Sequence, residues 1–534
     1  MAVSENRKFT MAQILTILDN AVGKKLGEVD SSNQFSRTID CDKITGIAGD
    51  VVEQSVLGYN RDNNQESDIE IDGVLHEVKT TGLQVPKSLY LKSLSKTGTE
   101  YNALLNAKEG ISITNVTLTP SIEYDFLTSH FYEKVLRLLI VFYEYKSQQT
   151  VHAAKYAEFP IVDYTFNKFS ERNLTRLCKD WEIVRDFLAP IYAESDDKEQ
   201  IFQKLSGFTH QLRDKLSLIE LSPSFKHSKN EKGELDYQKP RYRLKQPFVN
   251  TLVQKHFATK ASSHYLLRDS FTSMAELDGR CHNLSLRYAG MTLKELKKVL
   301  RVKGNVTDKN FGAKCILKMF GTNAKRLNMI EDFIEVGIIA KTVTLTPKGG
   351  RTEDTKMFHV NLLDWAEEDE FEESQIYEYF AQHNFLCPIF AEHGDTKRKK
   401  KTSKRLQSVE NKRVKEEIAK TTFEGFKRFV LSEDYIQTQI KKTWLDTRNL
   451  INNSQLRFEY TLDKDGNRIV NKSGSYKGAP NLPKSSEYHV FFRGSAVDSS
   501  EKVKIEINGV DMLPQYVWLK GTCIVDYLRK LKYL

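Results

Sequence analysis

Four stretches of the 534-residue sequence recur, in the same order, in its second half. AVGKKLGEVD (Ala21 to Asp30) is echoed by YAGMTLKELKK (Tyr288 to Lys298). SDIEIDGVLHEVKTT (Ser67 to Thr81) is echoed by EDFIEVGIIAKTVT (Glu331 to Thr344). FLTSHFYEKVLRLLIVFY (Phe126 to Tyr143) is echoed by FEESQIYEYFAQHNFLCPIF (Phe371 to Phe390), and each half closes on a Pro-x-Tyr segment, around Tyr242 and Tyr516. Each match is weak alone, yet four in one order are hard to obtain by chance, and a chain of this length exceeds one core. The expectation is a mixed α/β chain with two tandem domains, 1–258 and 288–534, joined by a linker over 259–287.

Composition narrows the class. With 40% hydrophobic and 28% charged residues the chain is neither collagenous nor disordered. The densest apolar run, Val135 to Tyr143, is about half a membrane span, and the first residues lack an apolar signal core, so no membrane partner and a cytoplasmic location are expected. The 6 cysteines stand far apart without a CxxC pair, which argues against zinc or a disulfide scaffold. A net charge of +9 leans mildly towards a polyanionic partner.

The chemistry concentrates between Ser67 and Thr81. Asp72-Gly73 is a two-residue hairpin signal, which pairs Ile71 with Val74, Glu70 with Leu75, Ile69 with His76 and Asp68 with Glu77. Ile69, Ile71, Val74 and Val78 then make an apolar face, while Glu66, Asp68, Glu70, Glu77 and Lys79 share the other. Two facing carboxylates repel each other unless a cation lies between them, and hard oxygen ligands suit Mg²⁺. An acidic-x-Lys triplet alone arises by chance roughly ten times in such a chain, so an ordinary charged edge strand stays open at this point.

Four segments together resemble the MutH and Sau-type GATC restriction endonuclease family, a branch of the PD-(D/E)XK nucleases. GIAGDVVEQ is similar to its Gly-x-x-Gly-x-x-x-Glu helix and places Glu53 at the acidic position. Asp68 followed by Glu77-Val78-Lys79-Thr80 resembles the Asp…Glu-x-Lys-Thr core, although two extra residues separate Asp68 from Glu77 and leave Glu70 as a rival ligand. TSHFYEKVLRLL resembles the segment of a second active-site lysine, here Lys134, which without the family reads as a snorkelling strand end. AVGKKLGEVD and AGMTLKELKK both resemble the family's N-terminal helix. The resemblance implies that Asp68 and Glu77 hold Mg²⁺ and that Lys79 orients the attacking water. It also implies that Lys134 adds a cation and that Glu53 supports a second metal or polarises Lys79.

In the second copy Ile339 stands where the metal-binding glutamate belongs and Tyr379 where Lys134 does, although Asp332 and Lys341 keep the family spacing. A buried isoleucine cannot ligate Mg²⁺, so the second domain is expected to be a degenerate, catalytically dead MutH-like copy kept for binding DNA or an effector site; a purely architectural half is the alternative. Its insertion, Gly394 to Glu417, carries KRKKKTSKR (Lys397 to Arg405), read as a solvated mobile loop or as a phosphate-tracking arm. For sequence readout the family's loop is matched by EYHVFFRGSAVDS, with Arg493 at its arginine; in the first copy Ser222 takes that place, leaving Lys226, His227 and Lys229 as candidates. Lys239, Arg241, Arg243 and Lys245 interleave with Tyr242 as a basic and aromatic strand, with Lys520 the counterpart in the second copy.

These readings converge on a type II restriction endonuclease making Mg²⁺-dependent double-strand cuts in DNA at GATC. The palindrome calls for a dimer or a DNA-looping assembly, and a cognate methyltransferase acts on the same site as a separate chain. A strand-nicking mismatch-repair enzyme and a non-catalytic DNA-binding regulator are the alternatives.

Overall fold

The computed structural model describes residues 7–39, 44, 46–59, 67–86, 93, 95–116, 123–146, 151–194, 197, 200, 208–222, 227–229, 235–237, 240–257, 265–351, 353–360, 362–367, 370–400, 402–471, 474–495 and 504–534. The chain divides into two compact units, Met1–Ser263 with Phe271–Met274 and Ile334–Gly337, and His264–Ser270 with Ala275–Phe333 and Ile338–Leu534. No helix among the described residues is long and apolar enough to cross a membrane.

The first unit opens with β1 (Lys8–Phe9) and helix α1 (Met11–Ala21). Thr10 caps α1 reciprocally: its side chain accepts from Gln13 N while the Gln13 side chain takes the Thr10 amide. Short helices α2 (Leu26–Val29) and α3 (Ile47–Val51) follow, and α3 widens into a π-helical turn, Val52–Val56. Next come β2 (Ile69–Ile71) and β3 (Val74–Gln84), then β4 (Asn106–Ala107), β5 (Ile111–Asn115), helix α4 (His130–Leu136), β6 (Arg137–Glu144) and β7 (Ile161–Lys168). The principal sheet runs β1-β2-β3-β6-β7, with β4 on β3; β6 lies parallel to β3 and antiparallel to β7.

The β2–β3 hairpin has the register the Asp-Gly turn demands, Ile71 opposite Val74, Glu70 opposite Leu75 and Ile69 opposite His76. Asp72 and Gly73 both take positive φ, 46° and 79°, the backbone of a turn whose twist matches the two strands. Ile69, Ile71 and Val78 are buried against Ile14, Leu18 and Val51, so the expected apolar face is the one that packs. Leu138 to Tyr143 are all buried, which explains an unbroken apolar run in a strand covered on both faces. Each such side chain contributes about 1.5–3 kcal/mol on burial. Helix α5 (Glu171–Glu194), β8 (Ile219–Ser222), hairpin β9 (His227–Lys229) with β10 (Leu235–Tyr237), β11 (Arg241–Leu244) and helix α6 (Gln246–Phe257) complete the unit, with β5-β11-β8 forming a second sheet.

The second unit begins with helices α7 (Met274–Tyr288) and α8 (Leu293–Val299). Strands β12 (Ile338–Ala340) and β13 (Val343–Leu345) come next, then β14 (Thr355–His359), helix α9 (Gln375–Gln382) and β15 (Asn384–Ala391). Both β12 and β13 run parallel to β15 in one continuous register, Ile338 beside Asn384 and Val343 beside Ile389, as a single strand interrupted at 341–342. Helix α10 (Lys404–Ala419) leads to β16 (Thr422–Phe429), antiparallel to β15, and helix α11 (Lys441–Asn452) follows. Hairpins β17 (Phe458–Tyr460) with β18 (Gly478–Pro480), and β20 (Ile505–Ile507) with β21 (Val510–Met512), flank β19 (Val490–Gly494); β22 (Gln515–Leu519) and helix α12 (Gly521–Lys530) end the chain, with a β14-β22-β19 sheet.

Local bonds recur between the units. Gly23 N donates to Ile161 O and Leu26 N to Phe159 O; Gly290 N donates to Phe423 O and Leu293 N to Thr421 O. Ser129 caps α4, donating to Phe126 O and accepting from Tyr132 N, as Ser374 caps α9, donating to Phe371 O and accepting from Tyr377 N. Two expectations need correction. The stretch read as a linker, 259–287, contains most of α7, because Met274, Leu277 and Cys281 recur at helical spacing and are buried. The insertion read as a mobile loop is half helix: Ser403 caps α10, and buried Glu410 and Val414 anchor it.

Candidate active site

Hairpin register, helix entry and the π-turn bring five of the expected site residues together in the first unit. Asp68 stands one position beyond the last ladder pair, and its Oδ2 accepts the Val78 N–H at 2.8 Å, so a carboxylate replaces the backbone partner where the strands part. Glu77, only 2% exposed, is gripped from both sides: Lys79 Nζ donates to Oε1 at 2.6 Å and Lys134 Nζ to Oε2 at 2.9 Å. Lys134 sits in the last turn of α4, not at a strand end as its bland reading had it. Because α4 passes directly into β6, and β6 sets Leu138 beside Glu77, the Ser129 cap fixes the turn that delivers Lys134.

Glu53 lies in the π-helical turn, and its charge acts on Lys79 and on Tyr59. Extra helical width at one turn is a common way of re-aiming a functional side chain. Glu70 pairs across the hairpin with the exposed Leu75, further along the strand. Glu66 lies outside the described residues.

Electrostatics follow from burial of unequal charge. Burial and the Glu77 charge push Asp68 up to about 6, against the pull of Lys79 and Lys134. Burial works to lower the Lys79 pKa, but the charges of Glu77, Asp68 and Glu53 and the bond to Glu77 outweigh it, and Lys79 is held above its ordinary value. Three carboxylates against two ammonium groups leave the cluster one positive charge short, which a hard divalent cation would supply. No group of three or more His, Cys, Asp or Glu among the described residues is arranged to hold a metal. A cation here would be held by two carboxylates, Asp68 and Glu77, with water completing the shell as Mg²⁺ prefers. Asp68, with only Oδ2 committed to the backbone, fits that role, as does Glu77 if the cation displaces an ammonium group from its oxygens.

Tyr59 is a site residue that no sequence pattern disclosed. It is 2% exposed, Arg7 lies over its ring at 4.8 Å, and its hydroxyl finds no hydrogen-bond partner among the described residues. Burial together with the charges of Asp68, Glu53 and Glu77 keeps its phenol protonated far above the usual range. A lone tyrosine beyond a Gly in a polar stretch carries no periodic signal that could have found it.

The expected DNA contacts fare less evenly. Arg241 is exposed on β11, whereas Arg243 pairs with Glu109 at 3.4 Å and Glu220 at 3.5 Å. Lys245 is corrected outright: it is 2% exposed and its Nζ donates to Leu216 O, beside the buried Asp180 that takes the amides of Ser217, Leu218 and Ile219. Tyr242 is likewise core, its ring tilted against Phe131 at 4.6 Å. Arg493 spends its guanidinium on Asp354 at 2.9 Å and lies over Phe491 and Trp518, at the wall of a cavity of about 390 Å³ also lined by Lys484, Ser485 and Gln515. Lys520 is the half-exposed N-cap of α12. Lys226 and Lys239 fall outside the described residues, as do the side chains of Ser222, His227 and Lys229.

In the second unit Ile339 is buried beside Phe385, the place Glu77 takes beside Leu138. Tyr379 is buried against Phe358 at 4.3 Å, and the buried Asp332 accepts from Leu267 N and Ser270 Oγ. Lys341 donates to Lys356 O, and burial with the nearby Arg351 lowers its pKa.

Residues 57–176 match the profile of the family described as DNA mismatch repair enzyme MutH. The matched span contains Tyr59, Asp68, Glu77, Lys79 and Lys134, together with strands β2, β3 and β6 and most of the sheet they build. No curated protein matches the chain.

Proposed function

We propose that this chain, whose residues 57–176 match the MutH family, is a type II restriction endonuclease making Mg²⁺-dependent double-strand cuts in DNA at GATC. The observation that carries the reading is the convergence of Asp68, Glu77, Lys79 and Lys134 on one buried point from two strands and a helix. A bound Mg²⁺, held by Asp68 and Glu77, would neutralise charge developing on the scissile phosphate and lower the pKa of its water.

The chain's own groups do the rest. Lys79, partly exposed and permanently charged, orients the attacking water and meets a phosphate oxygen. Lys134, buried behind Glu77, positions that carboxylate and adds positive charge to the site. Glu53 polarises Lys79, whose charge it already supports. The Tyr59 hydroxyl, held protonated amid these carboxylates, acts as a positioning donor.

The second unit, on this reading, is a degenerate MutH-like copy. The recurring sheet order, the twin serine caps and the exchange of Glu77 and Lys134 for Ile339 and Tyr379 support it. It binds a second GATC site as effector, so two sites meet on looped DNA or in a dimer, and a separate methyltransferase protects the same sequence. A strand-nicking mismatch-repair role is the second reading, favoured by the matched family's description and by one set of catalytic groups per chain.

Plasmids bearing one or two GATC sites, digested with Mg²⁺ or EDTA by the wild type and Lys79→Ala, test both. Mg²⁺-dependent linearisation at GATC, lost in Lys79→Ala and faster with two sites, is expected. Equal rates on one and two sites refute the effector role; nicks alone favour the repair reading; tight binding without cleavage under any divalent metal refutes the nuclease.

A further inference from the structure

The run Lys397 to Arg405 is the most concentrated charge in the sequence, and the proposed catalytic site makes no use of it. Lys397, Arg398, Lys399, Lys400, Lys404 and Arg405 are all exposed. Of these six, Lys399 reaches Asp395 at 3.4 Å, and the other five make no ion pair with the described residues. Like charges packed this closely repel, and an ordinary solvated run relieves that repulsion by moving apart.

This run is instead bolted down. Arg413 of α10 donates from Nη1 to Asp395 O at 2.6 Å and from Nη2 to Lys397 O at 3.1 Å. Glu410, 6% exposed, accepts the Lys399 N–H at 3.1 Å and is itself bridged to Arg413 at 2.8 Å. Gln407 adds a bond to Lys399 O, and Ser403 caps the helix behind the run. One buried carboxylate and one guanidinium thus hold the backbone at Asp395, Lys397 and Lys399 while only Lys399 of the six cations is ion-paired with the described residues. The arrangement fixes a cluster of exposed cations against α10. Such a cluster can meet the charges of a polyanion whose phosphates are closely and regularly spaced.

We propose that residues 397–400, pinned to α10 by Arg413 and Glu410, form with Lys404 and Arg405 a sequence-independent binding platform for the phosphodiester backbone of duplex DNA. The proposal rests on the reading that the second unit binds DNA and names the surface it uses. Recognition there is by charge alone, so it adds affinity without adding specificity.

The test measures binding of the full chain to two short duplexes, with and without GATC, in EDTA across a range of salt. A variant with Lys397, Arg398, Lys399 and Lys400 changed to Ser is compared with one carrying Ser at the exposed Lys303, Lys309, Lys318 and Lys325, which changes net charge equally. The platform variant should bind both duplexes on the order of 10–100-fold more weakly, and its log-affinity against log-salt slope should flatten by about 3. The control variant should shift less than threefold, and cleavage of a GATC duplex at saturation should stay within twofold in both. Equal losses in the two variants would mean bulk charge alone and overturn the platform. Unchanged affinity in the platform variant would also overturn it while leaving the DNA-binding reading intact. A wild type that fails to bind duplex DNA at all would overturn both.

Discussion

Asp68→Asn should stabilise the protein while abolishing cleavage. Asp68 is raised from 3.8 to about 6 in the folded chain, so between those values the native state holds a proton that the unfolded state has released. Native stability from this group therefore falls as pH rises through that window, and above it the ionised carboxylate costs stability in full. A shift of about two units corresponds to about 3 kcal/mol, and partial solvent screening of a side chain that is not fully enclosed brings the working figure to about 2 kcal/mol. Asparagine removes the charge yet keeps an oxygen that accepts the Val78 N–H, so the hairpin geometry survives. In EDTA at about pH 8, calorimetry should show the first unit's transition raised by several degrees in Asp68→Asn, the gain should halve near about pH 5, and it should vanish below about pH 3.8. Saturating Mg²⁺ should raise the wild-type transition, by about 2.7 kcal/mol at a hundredfold excess over Kd, and leave the variant unmoved. A variant less stable than wild type in EDTA at the higher pH, or one stabilised equally by Mg²⁺, would refute the argument that the site is built around a missing positive charge.

Lys134→Met strands Glu77 Oε2 in the interior and should cost about 3 kcal/mol in urea denaturation, while the pair Lys134→Met with Glu77→Gln should recover most of it. If the double variant is no better than the single, the ion pair is not the source of the loss. Tyr59→Phe removes a buried hydroxyl that has no partner among the described residues, so stability should hold or rise by about 1 kcal/mol. Plasmid cleavage by the same variant should drop at least tenfold in kcat with little change in KM; full activity would mean that the hydroxyl positions nothing. Lys245→Met, aimed at a residue that looked like a phosphate contact, should lower stability by about 1–2 kcal/mol through the lost bond to Leu216 O, with DNA affinity at fixed salt unchanged in the folded fraction.

The hairpin was legible because Asp-Gly admits few conformations and the flanking alternation fixes which face is wet. The site followed from it, since register alone set Asp68 near Glu77 and Lys79. Lys134 needed the family resemblance, because a lysine before an apolar run reads as a strand end, and only the Ser129 cap turns that segment into a helix. Tyr59 was invisible, for its meaning comes from the hydroxyl's surroundings and not from spacing. Alternating Arg and Lys around Tyr242 misled in the opposite direction. Polarity in sequence does not distinguish a cation facing solvent from one like Lys245, whose stem crosses the core to satisfy a carbonyl. The order within 395–413 was equally hidden, since its bonds run from side chains to backbone.

The proposal that the second unit is a degenerate copy has its own energetic logic. In the first unit the buried Glu77 is bonded by a lysine at each oxygen, and removal of any one member leaves an uncompensated charge. On the proposed reading the second unit would have lost the whole set together: Ile339 sits in the apolar cluster with Phe380 and Phe385, Tyr379 lies against Phe358, and Asp332 and Lys341 serve backbone groups. Replacing a buried ion cluster with packed apolar groups is neutral to stabilising, so such a copy is free of the strain that catalysis imposes. Reversal should then be costly and fruitless. Ile339→Glu, built on Lys79→Ala, places a carboxylate at a 7% exposed position where Lys341 already donates to Lys356 O and Tyr379 stands in place of a second lysine. It should lower the second unit's stability by at least about 3 kcal/mol in denaturant and restore no Mg²⁺-dependent cleavage. Recovery of cleavage would show that a latent metal site persists there, and would refute the argument that the core of the second unit is built around apolar groups in place of an ion cluster.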